Sequence, residues 1–468
     1  MKILLIRPPT KNLISTPVPK YIVENQGIYP PLGLMYVASY IRKNTNNEVF
    51  ILDCELEDLD YDEIKKKIEK INPCIVGIQT LTFSLIDALN VAKIVKRIDK
   101  NIILVMGGRH VDLFPLETIS FPFIDYLILG EGEFAFTEFI ETISNQKNLE
   151  KINGIVYKKN KKVILNNKTK LIENLDTLPF PARDLTKYKN YYSIFSLNKS
   201  FTTMMTSRGC PYSCIFCDNR WKKIRLRSAK NVVDEIEECV DLGIKEIFIF
   251  DDTFSVRKKR VLDICDEIKK RKIDISFAIR TRIDLVDKEM ITELKKAGCE
   301  RIQYGIESGV QRILDKINKG IDIQQIKKVV KLTKESEITT YADFMIGLPG
   351  ETKTDILKTL NFANELNLDF AQFSITTPLP GTELYGLGIK NNFFNDFWRE
   401  FAKNPEIKFE VKYWEESIRK EELLKILDYA YKSFYFKPSY VLKTLLNIKS
   451  REEIKKHVSI FFKMLKDF

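Results

Sequence analysis

Twice along the chain, short runs of almost continuous apolar residues alternate with segments of helical periodicity. This alternation limits the fold more than any other feature. The first series is Ile3–Ile6, Val49–Leu52, Cys74–Ile78, Ile102–Met106 and Tyr126–Leu129, with helical patterns over 32–43, 60–71, 84–98 and 132–144. Runs that are apolar on both faces suit parallel strands covered by helices, so a doubly wound α/β sheet is expected here. Ser84 with Asp87 three residues on resembles a capping box at one helix start. The second series is Phe201–Thr206, Glu246–Phe250, Ile275–Ile279, Arg301–Ile306, Thr340–Ile346 and Phe370–Thr376, separated by patterns such as Val232–Leu242 and Asp355–Leu366. Consecutive parallel β/α units of this kind curl into a partial (β/α)6 barrel. Between the series, Ile155–Tyr157 and Val163–Leu165 suggest a hairpin, and Leu178-Pro179-Phe180-Pro181-Ala182 an extended linker. The expected division is a doubly wound domain over 1–148, hairpin and linker over 149–197, the barrel over 198–388 and a helical region over 389–468.

A chain of 468 residues with 44% hydrophobic and 30% charged residues has ample core for such domains. No apolar stretch is long enough to span a membrane. The N-terminal apolar run stops at Arg7-Pro8-Pro9, too soon for a signal peptide, so a cytoplasmic location is expected. The net charge of +11 comes from 75 basic and 64 acidic residues that are largely interleaved, and nucleic acid is not expected as a partner. Only the tail from about Lys437 is locally basic.

The chain has eight cysteines. Cys54, Cys74, Cys239, Cys265 and Cys299 stand singly and read as buried small hydrophobes. The other three, Cys210, Cys214 and Cys217, form a C-x₃-C-x₂-C group directly after the first strand of the second series. They therefore fall at the carboxyl mouth of the expected barrel, where such folds place their chemistry. Three thiolates on one loop can hold three corners of a [4Fe–4S] cluster and leave one iron open. Zinc would need a fourth ligand, and the histidines, His110 and His457, are both remote in sequence.

This loop resembles the signature of the radical S-adenosylmethionine (radical SAM) superfamily, over roughly residues 198–385. The resemblance implies that the open iron chelates the amino and carboxylate groups of S-adenosylmethionine. Reductive cleavage then gives a 5′-deoxyadenosyl radical that abstracts hydrogen. It also implies cofactor contacts. Phe216 matches the aromatic beside the cofactor, and Asp251 and Asp252 stand where the family contacts the methionine amino group. Arg280 and Arg282 follow the third strand. Glu307 and Ser308 fall near the ribose contact. Gly347, in Gly347-Leu348-Pro349-Gly350-Glu351-Thr352, falls beside the adenine region, and Pro380-Gly381-Thr382 follows the sixth strand.

The first half resembles the cobalamin-binding domain that precedes the radical core in one large subgroup. The matching residues are Arg7-Pro8-Pro9, Pro30-Pro31-Leu32-Gly33, Gly107-Gly108-Arg109-His110 and Gly130-Glu131-Gly132-Glu133. The D-x-H-x-x-G pattern of other cobalamin domains is absent, which implies a cobalt without a protein histidine ligand and His110 as a residue packing near the corrin. The reaction implied is methylation of an unactivated carbon, with methylcobalamin between the two domains as donor and a second S-adenosylmethionine remethylating it. Alternatives are radical cyclisation, oxidation or rearrangement without methyl transfer and, from another class, a non-catalytic cobalamin or metal sensor. The partners implied are a small-molecule or peptide substrate and a low-potential electron donor such as ferredoxin or flavodoxin. Trp398, Trp414 and the Tyr429–Tyr440 aromatics read as core or, alternatively, as the lining of an apolar substrate site.

Overall fold

The computed structural model describes residues 1–16, 27–145, 148–166, 169–193, 195–196, 200–218, 221–406 and 408–447. The end of the basic tail, with His457, lies outside them. The chain forms two compact units. The first comprises Met1–Ser15, Ile28–Tyr191 and Phe394–Val411, and the second is built on Tyr192–Phe393 and the described residues from Lys412 onward. No helix among the described residues is long and apolar enough to cross a membrane.

The first unit is built on strands β1 (Lys2–Arg7), β2 (Glu48–Asp53), β3 (Ile75–Gln79), β4 (Ile103–Gly107), β5 (Tyr126–Ile128), β6 (Ile155–Lys159) and β7 (Lys162–Leu165). Their order is β2-β1-β3-β4-β5-β6-β7, and the first five are parallel. The chain reverses direction across the sheet between β1 and β3, which opens a crevice at their carboxyl ends. Ile3 and Leu5 pack into one core layer with Val105, Ile128, Phe136 and Phe139. Leu4 and Ile6, on the opposite face of β1, are as fully buried. This two-sided burial is why the runs are continuous rather than alternating. The expected hairpin forms as β6 and β7, but it pairs antiparallel with β5 and extends this sheet.

Helices α1 (Leu32–Asn44), α2 (Tyr61–Ile71), α3 (Leu85–Ile98), α4 (Arg109–Leu113), α5 (Pro115–Ser120) and α6 (Gly132–Ser144) accompany these strands. The expected capping box at Ser84 does not form: Ser84 makes no side-chain cap bond. Asp87 instead is fully buried and accepts from Asn12 N at 2.9 Å, Asn12 Nδ2 at 2.8 Å and the Tyr61 hydroxyl at 2.5 Å. These donors outcompete the helix end and tie down the loop after β1. The capping box lies at α2 instead, where Asp60 and Glu63 bond each other's backbone N–H at 2.8 and 2.9 Å. Cys74 is exposed rather than buried, because it stands one residue before β3 at the sheet's amino edge. Cys54, Cys239, Cys265 and Cys299 are buried as expected.

The second unit carries strands β8 (Phe201–Met204), β9 (Ser207–Arg208), β10 (Arg225–Leu226), β11 (Glu246–Ile249), β12 (Ser276–Thr281), β13 (Cys299–Glu307), β14 (Thr339–Ile346) and β15 (Phe370–Ile375). Six of them form one parallel sheet in the sequential order β8-β11-β12-β13-β14-β15. Helices α7 (Ala229–Asp241), α8 (Lys258–Lys270), α9 (Lys288–Lys296), α10 (Gln311–Lys316), α11 (Ile323–Glu335), α12 (Lys353–Glu365) and α13 (Glu383–Lys390) complete the partial barrel. The C-terminal region is helical: α14 (Phe397–Lys403), α15 (Lys420–Tyr435) and α16 (Pro438–Asn447). Along the outer edge of β15, the Tyr435 hydroxyl accepts from Ala371 N at 3.1 Å and donates to Ala371 O at 2.8 Å. One helical turn away, the Tyr431 hydroxyl does the same to Phe373, at 3.2 and 2.9 Å. These aromatics therefore cap the sheet edge, and Trp398 and Trp414 are core residues.

Candidate functional site

At the carboxyl edge of the first sheet the chain presents mostly bare backbone. Gly108 adopts φ +116°, and a Cβ there would lie 2.8 Å from Thr80 O. Gly107 and Gly108 are partly exposed, as are Gly130 and Gly132 at the end of β5, and Gly33 at the start of α1 is exposed with open space around it. Asp112 joins two of these loops by accepting from Gly130 N at 2.7 Å. Glu131 accepts from Ile172 N at 2.7 Å and so steadies the loop. Arg7 pairs with Glu55, lies 3.5 Å from Asp53 and donates to Tyr29 O at 2.7 Å. Pro8 beside it is buried. His110 is wholly buried, and its Nδ1 hydrogen-bonds the Thr82 hydroxyl at 3.1 Å. Burial pushes its pKa down to about 3, so the ring is neutral. Its Nε2 is buried and has no hydrogen-bond partner. These features fit a large, flat ligand lying on exposed backbone, with no histidine presented to it.

The second sheet ends differently. The loop that holds the three clustered cysteines leaves β8 and is fastened on all sides. Its base is the two-stranded ribbon of β9 and β10. Gly209, at φ +89°, passes between Trp221 O and Lys223 O, where a Cβ would sit 2.7 and 2.6 Å away, so only glycine fits. Cys210 N donates to Trp221 O at 3.0 Å, Ile215 N to Ile317 O at 3.2 Å and Asn318 Nδ2 to Ser213 O at 2.8 Å. Asp251, 1% exposed, accepts from the N–H and hydroxyl of Thr206 at 2.6 and 2.5 Å and of Ser207 at 3.2 and 2.7 Å. Its carboxylate is saturated by the strand leading into the cysteine loop, and it positions that loop. Asp252 beside it is exposed. Protein packed on its remaining sides and the neighbouring Asp251 raise its carboxyl above the ordinary value, against the pull of Arg280.

None of the three cysteines forms a disulfide. The Cys210 sulfur lies 3.6 Å from the Thr253 hydroxyl, and Arg282 Nη1 lies 3.8 Å from the Cys214 sulfur. Crowding by protein and by the two other thiols pushes Cys217 up to about 12, although its side chain reaches solvent. Cations oppose this. Arg282 lies 3.7 Å from the Tyr212 ring centroid, and the buried Lys319 contacts Glu307 at 2.8 Å and the Phe216 ring at 5.7 Å. Burial alone depresses Lys319, but Glu307 and Cys214 overcome it and hold its pKa raised. Among the described residues no three His, Cys, Asp or Glu side chains converge as ligands of a single metal ion. Thiolates that bind three different irons of one cube stand farther apart than the ligands of one ion. Three cysteines on one fastened loop, beside two cations that offset the negative charge of thiolates, fit a [4Fe–4S] cluster.

The remaining sequence-expected residues fall in two groups. Glu307 sits at a bulge in β13 with φ +71°, paired with Lys319 rather than turned to open space. Ser308 is wholly buried and bonds the Thr359 hydroxyl at 3.1 Å. Gly347, at φ +77°, donates to Glu351 at 2.8 Å and shapes the turn after β14. Arg280 remains available: its Nε has no hydrogen-bond partner, and its guanidinium lies 4.7 Å from the Phe250 ring centroid. Facing inward near it, Asp343 accepts from Gln303 at 2.7 Å, and burial pushes its carboxyl up to about 6. Lys319 and Asp343 carry no signal in the sequence. They come into place through the bulge and the strand register.

Two family models match the chain: the radical SAM superfamily over residues 204–363 and the B12 binding domain over residues 20–140. An uncharacterized methyltransferase of Pyrococcus horikoshii is 38% identical over 95% of this chain and 95% of its own length. An anaerobic magnesium-protoporphyrin IX monomethyl ester cyclase of Rubrivivax gelatinosus is 29% identical, over 92% of this chain and 78% of its own. Among solved structures, the cobalamin-dependent S-adenosylmethionine radical enzyme OxsB superposes with a TM-score of 0.75 at 18% identity, covering 100% of this chain and 71% of its own. The radical S-adenosylmethionine methyltransferase TsrM from Kitasatospora setae gives 0.69 at 18% identity, over 84% of this chain and 78% of its own. At such identity the last two show the fold alone, and it is the same fold. The cysteine loop, the glycine-edged sheet before it and a full-length relative together place this chain in the cobalamin-dependent radical SAM family, whose cofactors are a [4Fe–4S] cluster, S-adenosylmethionine and cobalamin.

Proposed function

We propose that this enzyme methylates an unactivated carbon of a small-molecule or peptide substrate, with residues 1–148 holding cobalamin and residues 198–388 holding the cluster and S-adenosylmethionine. The observation that carries this reading is the cysteine loop: three cysteines outside any disulfide, with Arg282 beside the Cys214 sulfur and Lys319 held nearby by Glu307. When bound, the cluster and S-adenosylmethionine supply a hydrogen-abstracting 5′-deoxyadenosyl radical, and cobalamin supplies a transferable methyl group. The chain's own residues set the stage. Cys210, Cys214 and Cys217 hold the cluster, and Asp251 fixes the strand that delivers them. Asp252 and Arg280 offer opposite charges to the zwitterionic end of S-adenosylmethionine. The glycines at the first sheet's carboxyl edge would let a corrin lie close to backbone, and buried, neutral His110 supports the loop that carries them. A low-potential donor such as ferredoxin or flavodoxin supplies electrons, and the enzyme works in the cytoplasm.

Incubation with methyl-labelled S-adenosylmethionine tests this reading. Label in the product supports it, and turnover without label overturns it in favour of cyclisation, oxidation or rearrangement. The likeness to the Rubrivivax cyclase supports that second reading. Formation of 5′-deoxyadenosine separates either enzyme from a non-catalytic sensor.

A further inference from the structure

Residues 394–411 stand between two stretches of the second unit in sequence, yet they pack with the first. Trp398 of α14 heads the fully buried side chains in size. Its ring meets Phe83 edge-on at 5.7 Å between centroids, while Phe397, Phe401 and Phe409 surround it at 5.4, 6.3 and 5.1 Å. Phe83 lies in the turn Thr82–Ser84 that follows β3, and that turn carries the hydroxyl bonded to His110. One residue on, Arg399 binds the buried carboxylate of Glu117 in α5 at 2.6 Å and lies 5.8 Å from the Phe114 ring centroid. Phe114 in turn packs on the His110 ring at 5.3 Å. Thus α14 grips both segments that leave the carboxyl ends of β3 and β4. The second of these begins with Gly107 and Gly108, and neither is held by a disulfide.

We infer that residues 394–411 brace the corrin site: Trp398 and Arg399 are positioning residues that hold the loops after β3 and β4 in the shape that takes cobalamin. This rests on the cobalamin reading given above. Loops at a ligand site sit at the low-stability end of a fold unless something outside them fixes their conformation, and an aromatic plug beside an ion pair to a buried carboxylate does so.

The test is titration of hydroxocobalamin into the full-length chain carrying its reconstituted cluster. Trp398→Ala is expected to weaken binding ~10-fold or more, because loss of a buried tryptophan is among the costliest core changes. Arg399→Glu, which sets two carboxylates together, is expected to weaken it by roughly 3- to 10-fold, with Arg399→Lys near the wild type. Iron content and 5′-deoxyadenosine formation should stay within about twofold in all three, since the brace belongs to the first unit. Wild-type affinity in both Trp398→Ala and Arg399→Glu overturns the brace, as does loss of cluster together with cobalamin in both variants. Failure of the wild-type chain to bind hydroxocobalamin sinks the cobalamin reading itself.

Discussion

The two sheets end in opposite ways at the edge where each would meet its cofactor. The first ends in glycine backbone and a buried, neutral His110, with Arg7 turned into pairing with Glu55. The second ends in charge: Arg282 near the Cys214 sulfur, Lys319 on Glu307, and Asp252 opposed by Arg280. A corrin is broad and flat and rimmed with uncharged amides, so backbone without side chains accommodates it. A thiolate-ligated cluster with a zwitterion on its open iron is small and highly charged. It needs fixed countercharges in a protein interior, where unpaired ions are costly. The contrast teaches that, in one chain, the same β/α architecture serves either purpose according to what stands in the first few residues after each strand.

Breaking either edge separately is the direct test. Cys210→Ala, Cys214→Ala or Cys217→Ala should abolish 5′-deoxyadenosine formation and leave hydroxocobalamin binding intact; joint loss means that the edges are not independent. Lys319→Met leaves Glu307 buried and unpaired, and should cost about 3–5 kcal/mol in denaturant unfolding of the second unit. Glu307→Gln in the same chain should restore most of it. Asp251→Ala removes an acceptor of several buried hydrogen bonds. It should cost roughly 2–3 kcal/mol and lower the iron bound per chain on reconstitution. On the other edge, Gly108→Ala forces a side chain into a glycine-only conformation and against Thr80. A loss of about 1–3 kcal/mol is expected, seen as weaker hydroxocobalamin binding with the iron content unchanged.

The smallest expected effect concerns Asp343. Burial raises its carboxyl to about 6 in the folded chain, so the folded state disfavours the carboxylate. The resulting destabilisation is absent below the unfolded value, about 4, grows as pH rises towards 6, and is complete above it. Asp343→Asn should therefore raise stability by ~1–2 kcal/mol at pH 8 and leave it unchanged near pH 4, as thermal melts at the two pH values would show.

The strands were legible because two-sided burial writes itself into continuous apolar runs, from Ile3–Ile6 to Phe370–Ile375. The cysteine loop was legible because its spacing has few other uses. Asp87 was misread because a buried acid near a helix start looks like a cap, and only its partners, Asn12 and Tyr61, tell the two apart. Asp251 is buried and its neighbour Asp252 exposed, a difference no pattern in the sequence distinguishes. Lys319 is one of 75 basic residues, and its role depends on a bulge and a left-handed Glu307. The place of α14 was hidden for a different reason: Arg399 finds Glu117 across 282 positions, and local periodicity carries no trace of so distant a partner.

The tyrosine pair on α15 has a consequence for how the molecule behaves in company. An open parallel sheet offers its last strand as a template for any passing extended peptide. Here the groups such a peptide would use, at Ala371 and Phe373, are already engaged by the hydroxyls of Tyr435 and Tyr431. Two phenols stand in for a neighbouring strand, and they let the barrel remain incomplete without becoming adhesive.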